Sequence, residues 1–260
     1  VATAAEPTGE GAAGEGEAAR ATDARLAIDP RVDVPLVAQL YRERGRVHVP
    51  GFLAPAAAAA VHAALERDTP WSVSANEGER NFTVRVEAFA QLAPEARAGF
   101  EARVLANAAR GFQYYYKNFP IHDEYAAGRF RDHLLMRVYE FLNSSAFLDF
   151  ARTVTGRPDA THVDAQATLF EKGHFLTRHD DRDDRKRRIA AYVLNLTPAW
   201  QADWGGLLAF LDPDGHVAEA YTPAFNALNL LRVPQPHAVT CVAPFAPAGR
   251  YSITGWIRAD

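Results

Sequence analysis

From about Asp164 to its end the chain is cut into short β-rich runs by Gly, Pro and Asp, and this pattern restricts the available folds more than any other feature. Eight runs can be marked: 165–170, 174–181, 187–196, 206–211, 216–221, 226–232, 237–243 and 250–258. Pro213-Asp214-Gly215 is a strong turn signal between the fourth and fifth. Eight short strands at this spacing predict an all-β sandwich or barrel, and a jelly roll has eight. The preceding part, from 33 to about 156, reads as mainly helical. Residues 35–44 show helical spacing and then meet Gly45, residues 54–67 are Ala-rich behind Pro55, and Pro94 to about Tyr116 reads as one long helix. Ser144 or Ser145 is placed to cap a helix ending near Gly156. Residues 46–50 and 80–90 alternate like strands. The expected fold class is α+β, a double-stranded β-helix (jelly roll) at the C-terminal end with supporting N-terminal helices.

Residues 1–24 are Ala, Gly and Glu without an aromatic side chain. Such a segment buries too little surface to offset its ordering entropy, so a disordered acidic tail is expected there. Gly9 to Gly14 spells GxGxxG, but no strand precedes it and its glutamates would repel a pyrophosphate, so the match is read as chance. Glu6, Glu10, Glu15, Glu17 and Asp23 stand against Arg20 alone, which accounts for the whole net charge of −4 and leaves the rest neutral. Neither a nucleic-acid nor a membrane partner is expected from that balance. Cys241 is the one cysteine, so no intrachain disulfide can form. No apolar run approaches the ~18 residues of a membrane span. With no basic start followed by an apolar stretch, a cytoplasmic location is expected. Residues 25–260 are read as a single domain, with 25–163 the mainly helical support and 164–260 the jelly-roll core. The oligomeric state stays open.

His179-Asp180-Asp181 ends the second run, and His237 opens the seventh. Residues i and i+2 of a strand face one side, so His179 and Asp181 are expected to present an imidazole and a carboxylate to one point. The second and seventh strands of a jelly roll lie side by side, which would bring His237 to the pair. Two histidines and one carboxylate form the facial triad of non-haem Fe(II) oxygenases. A second His-x-Asp, His162-Val163-Asp164, is set aside because too many strands would separate it from His237. Asp180 points to the opposite face. In the last run, Arg250, Ser252, Thr254 and Trp256 share one face, while Tyr251, Ile253 and Ile257 on the other look like packing against helices. An arginine is rarely buried unpaired, and a dicarboxylate held by Arg250 and Ser252 would resolve its position. Cys241 is expected as a buried free thiol, the aromatic segment 112–116 as packing with cleft lining as the lesser reading, and the charged run 178–188 as a solvated loop beside the site mouth with a substrate-contacting lid as the lesser reading.

HFLTRHDD, AAYVLNLTPAW followed by WGGLLAF, LLRVPQPHAV and RYSITGWIR resemble the Fe(II)/2-oxoglutarate-dependent dioxygenases, in particular their prolyl 4-hydroxylase-like branch. RVHVPGFL and SSAFLDFARTVTG resemble the N-terminal support of proline-hydroxylase-like proteins related to the ribosomal prolyl hydroxylases, so the likeness spans about residues 40–260. The resemblance implies His179, Asp181 and His237 as iron ligands and Arg250, with Ser252, as the anchor of the distal carboxylate of 2-oxoglutarate. It implies Thr254 and Tyr192 at the cosubstrate and Trp256 and Phe170 in the substrate pocket. Phe170 and Val193 stand where many relatives carry tyrosines, and Leu207 where an acidic residue is common.

The implied reaction uses Fe(II), 2-oxoglutarate and O2, with ascorbate as reductant in vitro, and gives succinate and CO2 while hydroxylating a C–H bond. The expected substrate is a prolyl or similar residue in a peptide or protein. The rivals are a hydroxylase of a free amino acid or natural product and a non-catalytic jelly-roll binding module. A cupin is disfavoured because no His-x-His occurs. Nucleic-acid demethylases of the superfamily typically carry a second arginine six positions after the first, where this chain has Trp256.

Overall fold

All eight runs form strands in the computed structural model, which describes residues 25–77, 80–183 and 185–259. The GxGxxG match and the expected tail lie outside the described residues. The strands are β6 (Gln166–Phe170), β7 (Phe175–His179), β8 (Arg188–Asn195), β9 (Leu208–Leu211), β10 (Val217–Tyr221), β11 (Ala227–Arg232), β12 (His237–Val239) and β13 (Arg250–Arg258). Their order is that of a jelly roll. One layer runs β11-β8-β13-β6 and the other β7-β12-β9-β10, all the pairs within them antiparallel.

The N-terminal part supplies helices and strands alike. Helix α1 (Val34–Arg44) starts where Asp33 accepts from the Leu36 amide at 3.0 Å and stops at Gly45, whose φ of 69° suits only a residue without a Cβ penalty. β1 (Arg46–Pro50) then lies along β11, as its alternation indicated. Helix α2 (Pro55–Arg67) follows, with proline in its first turn. β2 (Ser72–Glu77) and β3 (Arg80–Arg85) form a hairpin, and the alternation read over 80–90 breaks where the chain enters α3 (Val86–Ala90).

The long helix expected from Pro94 to Tyr116 is shorter. Helix α4 (Pro94–Ala108) ends before Gly111, and the tyrosine run becomes β4 (Tyr114–Phe119). Consecutive aromatic residues fit a pleated strand better than a helix face. β4 pairs with β2 on one edge. On the other it meets β6 through 117–119 and β7 through 114–115, joining the two layers. Helices α5 (Ile121–Ala126), α6 (Leu134–Leu142) and α7 (Ser145–Thr155) complete the support, followed by the short β5 (His162–Val163) on β13. Ser144 caps α7, and Gly156 ends it at φ 67°.

Strand alternation then separates two environments. Tyr192 and Leu194 of β8, Leu228 and Leu230 of β11, and Ile253 and Ile257 of β13 face α2, α6 and α7 in the main core. Fully burying each aliphatic side chain there contributes about 1.5–3 kcal/mol. Their strand neighbours Ala191, Val193, Leu231, Thr254 and Trp256 face a cavity of about 790 Å³ between the layers. Among the described residues no helix is long and apolar enough to cross a membrane.

Candidate active site

His179 is the last residue of β7 and His237 the first of β12, and the antiparallel register sets them directly opposite each other. Their ring centroids are 4.1 Å apart. Asp181 completes the group. Its carboxylate oxygens lie 3.4 Å from His179 Nε2 and 3.4 Å from His237 Nε2, and one donor atom from each residue falls within 4.8 Å of the others.

The expectation that strand alternation aligns His179 with Asp181 needs correcting. β7 ends at His179, and Asp181 has φ 63°, the left-handed region. Aspartate is among the few side chains that visit it routinely. The turn, not the pleat, brings the carboxylate round. Arg188 Nη1 donates to the Asp181 carbonyl at 2.8 Å and so ties the turn to β8. Asp180 stays outside the triad, as its position indicated: its carboxylate accepts from the Arg182 amide at 3.0 Å.

The chemistry of the donor set suits a divalent ion. His179 Nδ1 lies 3.0 Å from the Thr177 carbonyl and His237 Nδ1 lies 2.8 Å from the Gln235 carbonyl. A carbonyl only accepts, so each Nδ1 carries a proton, which leaves each Nε2, turned to the centre, as the atom that can give a lone pair to an ion once it is deprotonated. Burial opposes the Asp181 charge, but the His179 hydrogen bond and the nearby histidines outweigh it and hold the carboxyl below its usual range. Burial first, and then the charge of His179, pushes the His237 imidazole down. A carboxylate and neutral imidazoles are the forms that bind metal.

Arg250 is 1% exposed, and among the described residues no carboxylate lies within ion-pair distance of it. Among the described residues its Nε has no hydrogen-bond partner, and its one hydrogen bond runs from Nη2 to Asn195 Oδ1 at 3.5 Å. Burial pulls the guanidinium down to about 10, still protonated at neutral pH. Ser252 Oγ reaches the same Asn195 oxygen at 3.5 Å. A buried, unpaired cation on the cavity wall calls for an anion from outside the chain.

The remaining expected residues divide. Phe170 faces Arg250 across the β6–β13 ladder, and the guanidinium carbon sits 5.1 Å from its ring centre. Thr254 and Trp256 line the cavity. Tyr192, expected at the cosubstrate, borders the cavity at its strand position. Its ring packs on the helix side of β8 and its hydroxyl donates to the Asp164 carbonyl at 2.8 Å, because its neighbours Ala191 and Val193 take the cavity-facing positions. Cys241, expected buried, is exposed beyond the end of β12.

Sequence reasoning held some wall residues only as a lesser reading and passed over others. Phe112, Tyr114, Tyr116 and Asn118 share one face of β4 and its approach and line the cavity, whereas Tyr115 turns to a satellite core. Tyr116 stacks on Phe170 at 5.0 Å. The signal was the alternation within 112–118, hidden once the segment was read as helix and packing. Arg188 also lines the cavity, its guanidinium carbon 3.7 Å from the centre of the Trp256 ring. Asn195, behind Arg250 and Ser252, was missed as well.

A family model described as 2OG-Fe(II) oxygenase superfamily matches residues 165–258. No curated protein is similar enough in sequence to match the chain. Among solved structures, a prolyl hydroxylase from Trichoplax adhaerens, in complex with a hypoxia inducible factor oxygen degradation domain peptide fragment, is 19% identical with a TM-score of 0.58. That match covers 87% of this chain and 89% of the other. A 2OG-Fe(II) oxygenase family oxidoreductase from Burkholderia pseudomallei is 15% identical with a TM-score of 0.57, covering 91% and 96%. A prolyl-4-hydroxylase from Pseudomonas putida is 20% identical with a TM-score of 0.50, covering 87% and 99%. At these identities the likeness is one of fold. The part that matches the 2OG-Fe(II) oxygenase superfamily model, residues 165–258, is thus the jelly-roll core, and the solved structures that share the fold include prolyl hydroxylases.

Proposed function

We propose that the chain is an Fe(II)- and 2-oxoglutarate-dependent hydroxylase that acts on a C–H bond of a prolyl or similar residue in a peptide or protein. The observation that carries the reading is Arg250, a buried guanidinium with no carboxylate within ion-pair distance among the described residues, on the wall of the cavity that holds the triad. His179, Asp181 and His237 would hold Fe(II), and Arg250 with Ser252 would hold the distal carboxylate of 2-oxoglutarate. Bound there, these groups supply the oxidative decarboxylation that yields succinate and CO2 and drives hydroxylation by O2.

The chain's own part is to position and shield. The two backbone carbonyls fix the imidazoles, Asn195 backs the Arg250–Ser252 pair, and Phe170 with Tyr116 forms an aromatic wall beside the guanidinium. The peptide part of the reading is supported by the β2–β3 hairpin at the edge of the cavity, where Ser74, Asn81 and Thr83 add polar lining. It is also supported by the fold likeness to a prolyl hydroxylase solved with a peptide.

The test is mass spectrometry of proline-containing peptides incubated with the protein, Fe(II), 2-oxoglutarate, ascorbate and air. A peptide gaining one oxygen, with matching succinate, is expected. Oxygen incorporation into free amino acids alone would contradict the peptide part.

A further inference from the structure

The loop that carries Asp181 is also the most cationic stretch bordering the cavity. Residues 178–188 contain six basic and four acidic residues, within a chain whose net charge is −4. Asp181 is turned inward to the triad. Asp180 and Asp183 are engaged by the loop's own backbone: Asp180 accepts from the Arg182 amide and Asp183 from the Arg185 amide, both at 3.0 Å. The ion pairs they leave for the arginines are long, 3.7 Å for Asp180–Arg182 and 3.8 Å for Asp183–Arg188. The closest pairs elsewhere are tighter, Lys117–Glu171 at 2.7 Å and Arg46–Glu219 at 2.6 Å, while exposed pairs such as Arg103–Glu77 are as long, at 3.8 Å. Arg178 is exposed, lines the cavity, and has no carboxylate within ion-pair distance among the described residues.

The metal centre and the cosubstrate do not use up this charge. In the reading above, the triad carboxylate and the two carboxylates of 2-oxoglutarate are balanced by the divalent ion and Arg250. At the mouth Arg178 has no carboxylate within ion-pair distance among the described residues and Arg182 has its 3.7 Å pair with Asp180, with Arg188 behind them. Beside them Phe112 offers a half-exposed ring, 5.6 Å from that of His179. A small cationic rim around an aromatic lip is complementary to an extended chain carrying carboxylates. A nucleic acid would call for a broader basic surface, and outside this loop residues 25–260 carry 21 basic against 23 acidic side chains.

We propose that the cavity mouth is a docking surface for an acidic peptide segment, with Arg178 and Arg182 taking carboxylates that flank the residue delivered to the triad. The proposal rests on the peptide-hydroxylase reading and specifies its substrate class. Arg188 contributes to the field while holding the Asp181 turn.

Fluorescence anisotropy on the full chain, loaded with redox-silent Mn(II) and 2-oxoglutarate, tests it. The probes are a short labelled peptide with a central proline flanked by glutamates, its glutamine-flanked and lysine-flanked twins, and a short single-stranded DNA. The glutamate peptide is expected to bind about ten-fold or more tighter than the glutamine peptide, with the advantage shrinking as salt is raised. The double variant Arg178→Gln, Arg182→Gln should bring the two within about two-fold of each other, and Arg178→Glu, Arg182→Glu should shift the preference to the lysine peptide. Thermal melting checks that both variants are folded. Equal binding of the glutamate and glutamine peptides by the parent, or an advantage that survives both double variants, overturns the proposal. Tighter binding of the DNA than of the glutamate peptide overturns it in favour of a nucleic-acid ligand. Calorimetry of 2-oxoglutarate binding on the same sample reports separately on the underlying reading: no uptake there overturns the oxygenase assignment of the site, whatever the peptides do.

Discussion

His237 stands directly opposite His179 in the β7–β12 ladder, and each ring is pinned through Nδ1 to a backbone carbonyl two residues before it. The two imidazoles are therefore set by main-chain geometry before any ion arrives. Asp181 is the exception, since it reaches the site through a left-handed turn.

That turn makes Asp181 separable into backbone and carboxylate. Asparagine tolerates the left-handed region nearly as well as aspartate, whereas alanine does not. Asp181→Asn should unfold in urea close to the parent when metal is absent, yet lose its metal. Asp181→Ala should be less stable than Asp181→Asn by about 1 kcal/mol. Denaturation midpoints together with metal content per chain check both expectations.

Arg250 trades stability for binding. Arg250→Met removes a buried, unpaired charge, so the metal-free, ligand-free variant should be more stable than the parent by about 1–3 kcal/mol. With Mn(II) present, 2-oxoglutarate at a hundred times its dissociation constant should stabilise the parent by about 2.7 kcal/mol and the variant not at all. Urea unfolding with and without 2-oxoglutarate reads both effects.

Tyr192 should behave as a structural residue. Its hydroxyl bonds the Asp164 carbonyl in a fully buried setting, beside the point where Gly255 lets that carbonyl approach: a Cβ on residue 255 would lie 2.0 Å from Asp164 O. Tyr192→Phe leaves that acceptor without its partner and should lower stability by about 1–2 kcal/mol. Calorimetry should find the 2-oxoglutarate dissociation constant within about two-fold of the parent's.

Acid should act through His174. Burial pushes its imidazole from 6.5 down to about 4, so the folded protein keeps it neutral. Between those values the unfolded chain takes up a proton that the folded chain refuses. This contribution is intact above about pH 6.5 and is lost as the pH falls towards 4, reaching about 3 kcal/mol at roughly 1.4 kcal/mol per unit. His174→Gln should show a shallower fall in urea-derived stability across that window.

The jelly roll was legible because its strands are short, regularly spaced and punctuated by Gly, Pro and Asp. That spacing gave the strand order, and the order placed His237 beside His179. Arg250 was legible because charge on an otherwise inward strand face is anomalous. What stayed hidden depended on tertiary choices. A tyrosine run following a helical pattern carries no local mark of where the helix stops, so β4 and the cavity wall of Tyr114 and Tyr116 were absorbed into α4. The β2 strand and the helices α5 and α6 were not marked either, although α6 buries Leu135, Met136, Val138, Phe141 and Leu142. Which face of β8 meets the cavity is fixed by its register with β13, where Tyr192 pairs with Gly255 and Val193 with Thr254, so adjacency in the sequence left open which way the Tyr192 ring turns. The Asp181 geometry was misread because a strand was assumed to run two residues beyond its end.

The most direct measurement is succinate release from 2-oxoglutarate under air with Fe(II) and ascorbate, for the parent, His179→Ala and Arg250→Ala, beside anaerobic 2-oxoglutarate binding to the Fe(II)-loaded protein. The account predicts succinate from the parent, at most on the order of one per cent of it from either variant, and anaerobic binding that requires Arg250. A parent that neither releases succinate nor binds 2-oxoglutarate in the presence of Fe(II) would contradict it.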